Sequence, residues 1–444
     1  MYIPHTKTDK EEMLAAIGAA SFEDLIKQVP SKFLRPEFKL PAESLDEVQA
    51  AARMGTLAAG NKLPLSFLGG GAYERYIPAA VKAIISRGEF LTAYTPYQAE
   101  ASQGILQTIY EYQSSVCALY GMDCANASMY DGASSFAEAV RAASRITGRK
   151  KILYSAGVNP QYMDTLKTYF AHSPEYTYIR IPHRDGIIDA AAMAALLDDK
   201  TACVAVQTPN FLGLIEDISP VAEMAKKHGA LLVAAADPVS LGLLSTPGEY
   251  GADFAVGEGQ SLGLPLSYGG PYLGIFSCKK EYLRQMPGRI TGLTKDKDGK
   301  RGFVLTLQAR EQHIRRDKAA SNICSNEALC ALSATVYLAL LGPEGLKELA
   351  EANAGAAAFA AERLASIKGV SLKFKGPFFN EFVISVPTGA ARLREKILAR
   401  SGVDAGLPLS PLYPELGETL LVCATETKTE ADILKLERSI RENL

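Results

Sequence analysis

Apolar residues in this chain gather into short continuous runs instead of alternating with polar ones. Between about 150 and 280 the runs are KKILYSA, TACVAVQTP, ALLVAAADP, ADFAVGEG and YLGIFSC. A strand with one wet face alternates. A run that is apolar throughout predicts a strand covered on both faces, as in a mostly parallel sheet flanked by helices. Segments between the runs, such as ISPVAEMAKKHGA, read as those helices, so the pattern predicts an α/β domain.

Residues 1 to 65 have a different texture. SFEDLIKQVP places a Ser before Glu and Asp in a first helical turn, and SLDEVQAAARMGTLAAGN repeats the pattern, which predicts two short surface helices. From Phe67 onward, Gly-rich turns alternate with apolar segments, opening with FLGGGAYERYIPAAVKAIISRG. An Ala-, Leu- and Glu-rich stretch over 324–365, interrupted at Gly342 and Pro343, predicts a bridging helix. Beyond it, VSLKFKG, EFVISVP and TLLVCATE read as strands. AARLREKILARSG and ADILKLERSIREN read as helices, the last capped by Thr427 or Thr429. The predicted organisation is a helical extension (1–65), a large α/β domain (66–325), and a bridging helix with a small C-terminal α+β domain (326–444).

Composition narrows the partners. Hydrophobic residues make up 48% and charged ones 22%, an ordinary globular balance. Lysine and arginine number 47 against 49 acidic residues, a formal charge of -2 that gives no electrostatic reason for a nucleic-acid or anionic-membrane partner. The longest apolar stretches, such as Ala328 to Leu341, are broken by Ser and Thr and fall short of the roughly 20 residues that cross a bilayer. MYIPHTKTDKEEM mixes acidic residues with Lys and has no apolar run behind it, so the mature protein is expected to start here, in a cytoplasm. The 7 cysteines and 5 histidines are scattered without metal-ligand spacing. Reduced thiols and no metal site are expected.

Open parallel sheets bind ligands beyond the carboxyl ends of their strands. That directs attention to YDGASSFAEA (130–139), QTPNFLG (207–213), ADPVSLG (236–242) and EGQSLGLPLSYGGP (258–271). In the first loop, Gly-Ala-Ser-Ser opens a helix whose free N–H groups can hold a phosphate; equally, Ser134 or Asp131 can simply cap it. Asp237 ends a very apolar strand, where a carboxylate needs a cationic or hydrogen-bonding partner, unless it only caps the turn beside Pro238. Glu258 would oppose a phosphate if it pointed inward. From Pro238 to Cys278 there is no lysine, and Lys279 and Lys280 follow only after the next strand.

The order of these pieces, with Asn210 and then Asp237 at successive strand ends, resembles the fold-type I pyridoxal-phosphate enzymes of the transaminase superfamily. The resemblance implies that the Ser134 loop faces the cofactor phosphate and Asp237 its pyridinium nitrogen. The slot of the Schiff-base lysine falls on Ser261, beside Gln260, and neither can form an imine. One family accounts for both the order and the missing lysine. FLTAYTPYQAEASQGILQTIYEYQ (90–113), ASMYDGASSFAEA (127–139), PGEYGADFAVGEGQSLGLPLSYGGPYLG (247–274) and REQHIRRDKAASNICSNEAL (310–329) are similar to the N-terminal-type subunit of glycine dehydrogenase (decarboxylating), the P-protein of the glycine cleavage system.

That resemblance runs over nearly the whole chain, and the length matches one half of an enzyme that some organisms split into two homologous subunits. It implies that the partner subunit holds pyridoxal phosphate on its lysine and decarboxylates glycine. The aminomethyl group then passes to the lipoyl arm of the H-protein. This chain would be inactive alone, with only a vestigial pocket at Ser134, Asn210 and Asp237 and no covalently held cofactor. YTPYQAE offers residues to lend to the partner's site, namely Tyr94, Thr95, Tyr97, Gln98 and Glu100, or forms an ordinary turn before a helix. The charged run from Pro287 to Asn322 reads as a solvated face or a contact surface for the partner subunit or H-protein. Rival readings are a stand-alone pyridoxal-phosphate enzyme of aminotransferase or desulfurase type using another lysine, and a purely structural scaffold.

Overall fold

The computed structural model describes residues 4–34 and 44–444. The chain divides into two compact units, Met1–Leu63 and Pro64–Leu444. Residues 35–43 of the expected extension lie outside the described residues.

In the first unit, helices α1 (Lys7–Ala16) and α2 (Glu47–Ala59) bury no residue. Thr6 and Asp9 form a reciprocal capping box at α1: the Asp9 N–H donates to Thr6 Oγ1 at 3.2 Å and the Thr6 N–H to Asp9 Oδ2 at 2.6 Å. That box lies in a stretch whose charges alone drew notice in the sequence, so α1 was not foreseen. SFEDL yields a single turn, Phe22–Leu25.

The second unit is built on helices and strands in the order α3 (Gln103–Tyr120), β1 (Cys124–Ala125), α4 (Gly132–Thr147), β2 (Lys151–Ser155), α5 (Pro160–Tyr169), β3 (Thr177–Ile181), β4 (Thr201–Gln207), α6 (Ser219–Lys227), β5 (Leu231–Ala235), β6 (Phe254–Glu258) and β7 (Gly274–Cys278). The strands form one seven-stranded sheet ordered β1-β7-β6-β5-β4-β2-β3. Strand β7 runs antiparallel to both its neighbours, and β6, β5, β4, β2 and β3 pair in parallel. Along β4 the side chains alternate between faces: Cys203 and Ala205 join a core with Phe136 and Val140 of α4, whereas Val204 and Val206 join one with Val221 of α6. Cover on both faces is the physical reason the strands are apolar throughout.

A hairpin of β8 (Ile290–Lys295) and β9 (Arg301–Thr306) follows. Helix α7 (Ala328–Ala365) is interrupted at Gly342, where φ is 59°, just before Pro343. By length and composition it could cross a bilayer. Its Ala331, Ala334 and Tyr337 instead pack with Tyr112 and Val116 of α3, and its Ala357, Ala361 and Leu364 join the core of the C-terminal part. That part comprises β10 (Ser371–Leu372), β11 (Glu381–Ser385), α8 (Ala390–Ser401), β12 (Leu407–Pro408), β13 (Thr419–Cys423) and α9 (Glu430–Asn443), with an antiparallel sheet ordered β10-β11-β13-β12. Thr429 caps α9.

Leu65–Ser66 pairs in parallel with Val403–Asp404, and the Cys423 N–H donates to the Phe67 carbonyl at 2.9 Å. The glycine-rich segment that follows therefore leaves the small sheet and crosses to the loops beyond β6, where Tyr73 meets Gln260.

Candidate functional site

A small cavity lies at the carboxyl ends of β4, β5 and β6, lined by Tyr73, Tyr162, Gln207, Asp237 and Glu258 among others. Its volume is about 30 Å³, the share of one liquid water.

Glu258, the last residue of β6, points inward and spans it. Its Oε2 accepts from the Gly132 N–H at 2.9 Å, and its Oε1 from the N–H groups of Gln260 at 2.9 Å and Leu273 at 3.1 Å. Gly132 opens α4, so this carboxylate sits where unpaired helix N–H groups favour an anion. Burial pushes the Glu258 carboxyl up to about 7 although three backbone donors stabilise its charged form.

Ser134 takes part in the cap of the same helix: its N–H donates to Asp131 Oδ1 at 2.7 Å, and the Asp131 N–H donates to Ser134 Oγ at 3.2 Å. Asp237 Oδ1 accepts from the N–H groups of Val239 at 2.8 Å and Ser240 at 3.0 Å, while Oδ2 faces Arg75 Nη2 at 4.0 Å. The Arg75 side chain is 0% exposed, pairs with Glu426 at 2.9 Å, and also donates to Asn353. Burial raises the Asp237 pKa while Arg75 pulls it back. Asn210 does not line the cavity. Its Nδ2 donates to the Gly186 carbonyl at 2.9 Å and Glu216 Oε1 at 2.7 Å, and its Oδ1 accepts from the N–H groups of Leu212 and Leu214, tying the 208–216 loop together.

Gln260 Nε2 donates to the carbonyls of Tyr73 at 2.9 Å and Leu264 at 2.8 Å, and Oε1 accepts from the Tyr73 N–H at 2.9 Å. Ser261 is buried, and its hydroxyl has no partner. Glu381 adds a second raised carboxyl: burial lifts it to about 7, against donation from the Gly70 N–H at 2.6 Å and the Tyr73 hydroxyl at 2.8 Å.

These residues do not fit pyridoxal phosphate. Pockets for ligands of drug size run to roughly 300 Å³ or more, about tenfold this cavity; a more open groove of about 420 Å³ adjoins it and shares Gly71, Asn159, Tyr162 and Glu258. At the place the sequence resemblance gives to the cofactor phosphate, Glu258 accepts from the Gly132 N–H, and the place it gives to the lysine falls on Ser261.

A different feature is open. Tyr94, Thr95, Tyr97 and Gln98 line a surface groove of about 800 Å³, with Tyr94 87% and Tyr97 58% exposed. Glu100 is exposed nearby in sequence but outside that lining. Behind the groove, Arg289 Nη2 donates to the Tyr97 hydroxyl at 3.3 Å and Nη1 to Asn326 at 3.2 Å. Arg289 is buried, and Arg310 donates to the carbonyls of Met286, Gly288 and Leu307. Both leave the solvated face expected for the charged run, whereas Arg301, Arg315, Arg316 and the four lysines of the segment are exposed. His313 stands edge-on to Tyr97 with ring centroids 6.3 Å apart.

The architecture is that of the fold-type I pyridoxal-phosphate enzymes. A 13% identical structure, a sphingosine-1-phosphate lyase of Burkholderia pseudomallei K96243, superposes with a TM-score of 0.64 over 93% of both chains and shows the fold alone. The family profile described as Glycine cleavage system P-protein matches residues 1–440. Similar proteins include the probable glycine dehydrogenase (decarboxylating) subunit 1 of Desulfitobacterium hafniense, 50% identical over 98% of each chain. The same-named protein of Moorella thermoacetica is 50% identical over 99% of each. A crystal structure of glycine decarboxylase, the P-protein of the glycine cleavage system, in inhibitor-bound form matches with a TM-score of 0.91 at 45% identity and full coverage of both chains. This chain belongs to the glycine cleavage system P-protein family.

Proposed function

We propose that this chain is the lysine-free subunit of a two-subunit decarboxylating glycine dehydrogenase. A homologous partner subunit supplies the lysine that holds pyridoxal phosphate. The assembled enzyme decarboxylates glycine and passes the aminomethyl group to the lipoyl arm of the H-protein, in the cytoplasm. One observation carries this reading: the chain has no lysine from Pro238 to Cys278, where the resemblance puts the Schiff-base lysine, and is similar over 98% of its length to a subunit 1 protein.

The division of labour is physically reasonable. Decarboxylation needs one lysine-bearing pocket, and neighbours that shape it can come from another chain. Asp237 lines the small cavity, which supports a vestigial role for it; the same role for Ser134, in the cap of α4, and for Asn210, which ties the 208–216 loop together, rests on the sequence resemblance. The open Tyr94–Gln98 groove supports this segment, with Glu100 nearby, as what is lent to the partner: hydroxyl, amide and carboxylate groups on a turn stiffened by Pro96. Balanced charge supports neither nucleic acid nor an anionic membrane as partner.

Borohydride reduction of the assembled enzyme followed by mass spectrometry of each subunit tests the assignment. The reading expects the pyridoxyl group on the partner chain and none on this one. A reduced adduct on a lysine of this chain, formed in proportion to activity, would contradict it.

A further inference from the structure

Tyr97 lines the open groove and is held from behind. Its turn is tight: the Tyr97 N–H donates to the Thr95 carbonyl at 2.8 Å across Pro96. The His313 ring stands edge-on to the Tyr97 ring, and the Arg289 guanidinium carbon lies 5.7 Å from its centroid. Arg289 Nη2 donates to the Tyr97 hydroxyl oxygen at 3.3 Å.

Arg289 is itself firmly built in. It is 3% exposed, immediately precedes β8, and its Nη1 donates to Asn326 Oδ1 at 3.2 Å. Asn326 Nδ2 donates to the Ala127 carbonyl at 3.1 Å, and the Ala127 N–H donates to the Arg289 carbonyl at 2.8 Å, so side chain and backbone are fixed to the same strip ahead of α4. Two residues on, Gln113 of α3 clamps Thr291, donating to its carbonyl at 3.0 Å and accepting from its N–H at 2.9 Å. The guanidinium donates to neutral oxygens at both ends, and its Nε has no hydrogen-bond partner. Burying a cation on such terms is costly, so stability alone does not account for it.

A guanidinium has N–H donors and no acceptor. The Tyr97 oxygen must therefore accept from Arg289, and its own O–H is left free to donate to a group in the groove that Tyr97 lines. We propose, on the reading of Tyr97 as a residue lent to the partner's site, that Arg289, pinned by Asn326, is a positioning residue. It acts through Tyr97, fixing the ring and presenting the hydroxyl to an acceptor oxygen in the partner's site.

A double-mutant cycle in the assembled enzyme, this chain with its lysine-bearing partner and H-protein, tests it. Glycine–bicarbonate exchange gives kcat, and size-exclusion chromatography shows that the complex forms. Arg289→Met and Tyr97→Phe should each lower kcat about tenfold, and the double variant should fall no further than Tyr97→Phe alone. A merely structural loss at Arg289 would multiply with that of Tyr97→Phe. A fall of about a hundredfold in the double variant would therefore overturn the proposal, as would an unchanged kcat in Arg289→Met beside a lowered one in Tyr97→Phe. An unchanged kcat in Tyr97→Phe would end the lent-residue reading and this proposal with it. Should Arg289→Met fail to fold, Asn326→Ala takes its place, because it frees Nη1 with Arg289 retained. A loss of kcat that vanishes in the Tyr97→Phe background supports the proposal, and no loss, or one that multiplies, overturns it.

Discussion

Gln260 clasps the backbone of Tyr73 from both sides, accepting from its N–H at 2.9 Å and donating to its carbonyl at 2.9 Å. Gln260 is thus a structural tie. It joins the loop after β6 to the glycine-rich segment that arrives from the small sheet, and a reactive side chain there would release that segment. Replacing Gln260 by Ala should leave three backbone groups unpaired, the Tyr73 N–H and carbonyl and the Leu264 carbonyl, and cost about 2–4 kcal/mol. Denaturant unfolding of the two proteins checks this, and a change under about 0.5 kcal/mol would argue against the tie.

Arg75 lies between Asp237 and Glu426 with its side chain fully buried. Arg75→Met should destabilise the chain by about 3–5 kcal/mol, because it strands two carboxylates away from water without a countercharge. The double variant Arg75→Met/Asp237→Asn should recover part of that loss. Additive losses in a double-mutant cycle would show that the 4.0 Å pair is not coupled.

Restoring a lysine is not expected to restore the cofactor. Ser261→Lys inserts an ammonium into a buried position next to a cavity of about 30 Å³ whose anion end is already filled. The variant should gain no visible imine band when mixed with pyridoxal phosphate, and it should unfold at lower denaturant than wild type. A stoichiometric, borohydride-trappable adduct at residue 261 would contradict the closed pocket.

Glu381 imposes a pH dependence. Its folded pKa is raised by burial from 4.5 to about 7, so between those values the folded chain holds a proton that the unfolded chain has lost. The contribution to stability is complete below about 4.5 and is lost as pH rises through about 7. Glu381→Gln should therefore flatten the fall in urea midpoint across that window. An unchanged slope would mean that the buried carboxyl is ionised throughout.

Tyr94→Phe and Tyr97→Phe, made separately, should leave assembly with the partner intact and lower turnover about tenfold if these hydroxyls serve the partner's site. Size-exclusion chromatography reports assembly and steady-state assays report turnover. Unchanged turnover in both, with the complex formed, would assign the groove to contact alone.

Much of this fold was legible because burial on both faces leaves a simple trace. Strands β2, β4, β5, β6 and β7 coincide with the five apolar runs. Strand β3, TYIRI, escaped because it lies at the sheet edge, where its Thr177 and Arg180 meet solvent. The β8–β9 hairpin was hidden in the charged run, since its outer positions are Lys295 and Arg301. The absence of lysine from Pro238 to Cys278 could be read directly. What closes the pocket could not: Glu258 could be suspected as an inward charge, but its donors come from Gly132, Gln260 and Leu273, two of them far away in sequence. The Arg75–Asp237 approach is likewise a product of the fold, and no local pattern around YERYIP marks Arg75 as buried.

Glycine–bicarbonate exchange, measured with this chain alone, with its homologous lysine-bearing subunit, and with H-protein added, tests the central claim most directly. The account predicts no exchange from this chain alone or with H-protein, and full exchange only when the lysine-bearing subunit is also present. Exchange by this chain with H-protein alone, at the rate of the complete mixture, would contradict it.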